Sequence, residues 1–92
     1  MADDERPEFS VWVFYADEYH DPVVRFCTAR YAVQVAHRLT RTIEKAAQLS
    51  PDGKWPTKVV ITDGGDDTVF LWERGRGVVF PTEAQLKEEG LR

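Results

Sequence analysis

With a single cysteine, Cys27, the chain cannot close an intrachain disulfide or assemble a multi-cysteine metal site. That usage suits a reducing compartment, so a cytoplasmic location is the expectation. Long apolar runs are missing too. The longest uncharged apolar stretch lies within Phe9–Ala16, far short of the roughly 20 residues that cross a membrane. The opening residues MADDERPE are acidic and hold no apolar segment of the kind a secretory signal needs. Nor is there a basic excess: the net charge of −4 disfavours indiscriminate binding to nucleic acid.

What the sequence does hold is aromatic and β-branched. Five Phe, three Trp and three Tyr among 92 residues are enough large side chain for one core, and the length suits one domain. Residues 1–8 have nothing to bury and read as a flexible acidic tail, leaving residues 9–92 as the domain. Phe9-Ser-Val-Trp-Val-Phe-Tyr15 is the strongest strand signal. Residues 16–22 have turn composition, and Val23–Cys27 resumes strand character, which predicts a hairpin with a long loop.

Thr28 then offers a hydroxyl cap to a helix. Ala32, Val35, Ala36, Leu39, Ile43 and Ala46 recur at spacings of three and four, predicting an amphipathic helix to about Leu49, ended by Ser50-Pro-Asp-Gly53. Lys54–Thr57 reads as a linker containing Trp55. Strands follow at Lys58–Thr62, Thr68–Glu73 and Val78–Phe80, separated by the turn-rich segments Asp63–Asp67 and Arg74–Gly77. Thr82-Glu-Ala-Gln85 fits a capping box, so a short last helix is expected over 83–89. The predicted fold is α+β: an antiparallel sheet of about five strands in the order β-β-α-β-β-β, with the long helix packed on one face.

This layout leaves apolar surface without a cover. A helix about 10 Å wide shields two or three strands spaced roughly 4.8 Å apart, so one helix cannot close even one face of such a sheet. Yet the first strand is apolar on both sides, with Phe9, Val11, Val13 and Tyr15 pointing one way and Trp12 and Phe14 the other. The fourth sets Phe70 and Trp72 against Val69 and Leu71. Which face meets the helix is open at this level, although Ala32, Ala36 and Ala46 leave room for a large ring. Trp12, Phe14, Phe70 and Trp72 are the candidate partner-binding residues, and a second copy of the chain is the first candidate for the partner. Loops, the tail or the segment around Trp55 are the alternative covers.

Other clusters point less specifically. Arg30, Gln34, His37, Arg38, Arg41, Lys45 and Gln48 form a basic stripe opposite the apolar face of the helix. Arg30, Arg38, Arg41 and Lys45 are the candidates for contact with nucleic acid or an acidic partner, against the ordinary reading of a solvated helix face. Asp17, Glu18, His20 and Asp21, and then Asp63, Asp66 and Asp67, gather in two loops, but neither spacing matches a calcium loop, and Asp and Gly are what tight turns need. No nucleophile adjoins His20 or His37, Cys27 reads as a buried small hydrophobe, and Arg74-Gly-Arg-Gly77 precedes a strand rather than a helix, unlike a phosphate loop. No catalytic residue, cofactor or metal is therefore expected, and the chain reads as a binding module rather than an enzyme.

Over residues 9–80 the order of elements resembles that of many small bacterial domains and of some phage-encoded inhibitors of bacterial defence systems. The latter likeness implies a third role, in which acidic loops carrying Asp17, Glu18, Asp66 and Asp67 occupy a basic site on a larger complex. It transfers no site residues.

Overall fold

The computed structural model describes residues 6–81. It has the expected α+β class, with strands β1 (Phe9–Phe14) and β2 (His20–Cys27), helix α1 (Ala29–Leu49), and strands β3 (Lys58–Thr62), β4 (Thr68–Glu73) and β5 (Gly77–Phe80). The five strands form one antiparallel sheet in the spatial order β2-β1-β3-β4-β5. Both β2 and β3 run antiparallel to β1, which lies between them, so α1 carries the chain across β1 from one edge strand into the sheet centre. The short helix expected over 83–89 and the first five residues of the tail lie outside the described residues.

Local signals account for most boundaries. The Thr28 hydroxyl accepts a hydrogen bond from the Tyr31 N–H at 3.2 Å and so caps α1. At the other end the Ser50 N–H donates to the Ala46 carbonyl, and Gly53 turns back towards Ser50. The β4–β5 turn uses Gly75 and Gly77 at φ of 88° and 84°, values that a side chain would resist. Asp63 builds the β3–β4 turn: its Oδ1 accepts from the N–H groups of Gly65 and Asp67.

Three boundaries differ from the sequence reading: β1 ends at Phe14 rather than Tyr15, β5 begins at Gly77 rather than Val78, and the start of β2 moves furthest. β2 begins at His20 rather than Val23, so Asp21 and Pro22 belong to the strand and the connection shrinks to residues 15–19. Pro22 pairs opposite Trp12 on an edge strand, where a missing N–H costs no second ladder. Turn composition at 16–22 therefore concealed the start of an edge strand.

The core lies between α1 and the sheet. Val11 and Val59 are fully buried, and Val13, Ile61 and Trp72 join them from the sheet with Ala32, Ala36 and Ile43 from the helix. The two alanines, at 0 and 2 % exposure, let the helix approach β1 and β3 closely, and the large Trp72 ring belongs to the same cluster. Burying each Val, Ile or Trp of this group contributes about 1.5–3 kcal/mol of transfer free energy. The helix lies over β2, β1 and β3, the three strands that its width allows.

Candidate functional site on the open sheet face

The pairing register decides which side chains share a face. Val11 lies opposite Ile61 and Val13 opposite Val59; Ile61 in turn faces Phe70 and Val59 faces Trp72. All of these point to the helix. The alternate set runs His20, Phe14 and Trp12 across to Val60, Leu71 and Phe80 on the opposite, open face. The four candidate partner-binding residues thus divide. Trp12 and Phe14 stand on the open face, whereas Trp72, at 4 % exposure, and Phe70 pack with the helix and leave the candidate surface. Register is the physical reason: Phe70 and Trp72 sit opposite the fully buried row of β3, and the helix with its small residues covers that row.

On the open face the half-buried rings are held by polar and cationic neighbours rather than by a second layer. The Trp12 indole N–H donates to Thr62 Oγ1 at 3.0 Å. His20 meets Trp12 edge-on at 5.8 Å and stacks against Phe14 at 5.1 Å between ring centroids. The Arg25 guanidinium lies over two rings, 5.6 Å from the centre of Trp12 and 4.8 Å from that of Phe26. No described element covers these residues.

Phe26 stands out within the group. It is 65 % exposed and adopts φ 58°, the left-handed region that a bulky residue enters only at a cost. Its N–H reaches Ser10 Oγ at 3.4 Å, at the irregular end of the β1–β2 pairing. At this irregular end of the strand the Phe26 ring lies in solvent, and Arg25 lies over it as well as over Trp12. Sequence reasoning misses Arg25 and Phe26 because Val23–Cys27 reads as a regular strand; a basic residue followed by an aromatic one at an edge-strand end is the available signal.

The remaining candidates fall elsewhere. Arg30, Arg38, Arg41 and Lys45 are all exposed along α1, and among the described residues none pairs with a carboxylate. A shallow depression of about 450 Å³ beside them is lined by Gln34, His37, Arg38 and Arg41. In the acidic loops, Asp17 Oδ1 accepts the Tyr19 N–H while Glu18 and Asp66 take positive φ, so these residues shape turns. Among the described residues no group of three potential metal ligands gathers. Burial raises the Cys27 thiol above its ordinary pKa of 9.0, with a backbone hydrogen bond working weakly against it. No helix among the described residues is long and apolar enough to cross a membrane. No family model, curated protein or solved structure matches the chain.

Proposed function

We propose that this chain is a protein-binding module that associates with a second copy of itself through the open sheet face. The observation that carries this reading is the Trp12–Arg25–Phe26 group, in which a strained backbone keeps an aromatic ring exposed at 65 %. Strain of this kind persists where it serves contact, and Trp and Arg are the side chains over-represented among residues that dominate binding energy. Phe14, Leu71 and Phe80 extend the surface across the sheet towards the β5 edge.

The small size of the face suits a weak association. Strands about 4.8 Å apart and about five residues long give a face of roughly 24 by 17 Å, or about 400 Å². Stable interfaces bury about 800 Å² per partner, so a dimer in the micromolar range is expected rather than an obligate one. Light scattering on the eluting chain is expected to give a mass that rises with loading, and Trp12→Ser to remain monomeric while keeping its helix signal. A wild type that stays monomeric at high micromolar concentration contradicts the reading.

A second reading, binding of nucleic acid or an acidic partner, is favoured by the exposed cations of α1, which pair with no carboxylate among the described residues. It requires affinity that falls steeply with salt and that collapses on charge reversal at Arg38 and Arg41.

A further inference from the structure

A cleft of about 470 Å³ opens at the far end of the sheet from the α1 cap, between the β1–β2 loop, the α1–β3 connection and the β4–β5 turn. Three rings line it: Tyr15 from the end of β1, Tyr19 from the loop, and Trp55 from the connection. Its size matches sites for small organic ligands and far exceeds what a bare ion needs. It lies away from the open face, so it is independent of the association proposed above.

The rings are fixed from behind. Trp55 Nε1 donates to the Ser50 carbonyl at 2.8 Å, and its indole packs so closely on Gly53 that a Cβ there would lie 2.4 Å from Nε1. Tyr15 and Tyr19 have centroids 6.0 Å apart, tilted by 40°. The Tyr19 hydroxyl donates to Asp21 Oδ1 at 2.9 Å, which holds the ring in place although it is largely exposed.

Charge is arranged in two halves. Asp17 and Asp21 flank Tyr19, while Arg74 and Lys54 line the cleft beside Trp55, whose carbonyl accepts from Arg74 Nη1 at 3.4 Å. The Tyr19 hydroxyl is held above its ordinary pKa of 10.0, first by its hydrogen bond to Asp21 and that carboxylate's charge. Two carboxylates thus border the Tyr19 half of the cleft. The three rings, rather than the carboxylates, select among ammonium groups: an alkylated ammonium costs less to desolvate than a primary one and is attracted by ring faces.

We propose that this cleft binds a small zwitterion, with its alkylated ammonium against Tyr15, Tyr19 and Trp55 beside Asp21, and its anionic group towards Arg74 and Lys54. The test is a titration of the full ¹⁵N-labelled chain with three probes of similar shape: glycine betaine, choline, and the uncharged 3,3-dimethylbutan-1-ol. Betaine is expected to shift the Trp55 indole N–H and the Tyr19 amide saturably, with a dissociation constant of about 1 mM or below. Asp21→Asn and Tyr19→Ala, both at solvent-accessible positions, are each expected to weaken it roughly tenfold. Arg74→Gln is expected to reduce betaine binding to the level of choline. Equal saturable shifts from the uncharged alcohol, betaine binding indifferent to Asp21→Asn, or no saturation by about 50 mM would each overturn the proposal. Choline binding as tight as betaine in the wild type would overturn the assignment of the anionic half.

Discussion

On the helix side of the sheet Val11, Val59 and Trp72 are all at 4 % exposure or less, and they cluster with Ala32, Ala36 and Ile43 of α1. On the other side Trp12 and Phe14 remain half-buried and Phe26 stands at 65 % exposure, with Thr62, His20 and Arg25 as partners. Both faces are rich in large apolar side chains, so composition alone does not separate them. The helix face is finished by close packing of aliphatic surface. On the open face, ring, cation and hydroxyl contacts hold the aromatics with part of their surface exposed, which is the ground for proposing that face as a contact surface.

That contrast can be broken most forcefully at Trp72. Trp72→Ala removes a buried ring and is expected to cost about 3–5 kcal/mol in denaturant unfolding, enough to unfold much of the population. Trp12→Ala, the same change on the opposite face, is expected to cost less than half as much; equal losses would mean that the open face is core. Overpacking the helix side should also be felt: Ala36→Leu is expected to destabilise by about 1–3 kcal/mol, because α1 sits tightly on β1 and β3 at that position.

Phe26→Gly sharpens the comparison differently. Glycine relieves the positive φ and is expected to raise stability by about 1 kcal/mol while weakening association, so stability and binding should move in opposite directions. A destabilised Phe26→Gly chain would show that the ring supports the fold. The smallest effect concerns the cleft on the helix side. The folded chain retains the Tyr19 proton at pH values where an ordinary tyrosine, as in the unfolded chain, has released it. Any stabilisation from that proton is therefore present below pH 10 and lost as the pH rises through the folded value. Asp21→Asn should move the tyrosine's titration back towards the ordinary range, as followed by ultraviolet absorbance.

Much of the fold was legible in the sequence. The three- and four-residue spacing from Ala32 to Ala46 fixes α1, and Thr28 marks its start, because a helix announces its buried face and its cap locally. β3 and β4 begin and end where alternation and turn residues place them. The start of β2 was hidden because Pro22 and its acidic neighbours have turn chemistry, and only a position at the sheet edge makes Pro22 acceptable in a strand. The division of Trp12 and Phe14 from Phe70 and Trp72 was not legible, since it depends on the register between strands far apart in sequence. The positive φ of Phe26 and the meeting of Tyr15, Tyr19 and Trp55 at one cleft also depend on long-range structure.

The most direct test of the open face as an interface uses the three indole N–H resonances on dilution of the labelled wild-type chain, from about 1 mM to about 10 µM. The Trp12 resonance is expected to move with concentration, together with the amides of Phe14, Arg25 and Leu71, while that of Trp72 stays still. Resonances of Trp12 and its neighbours that do not change across that range, or changes confined to the exposed face of α1, would contradict it.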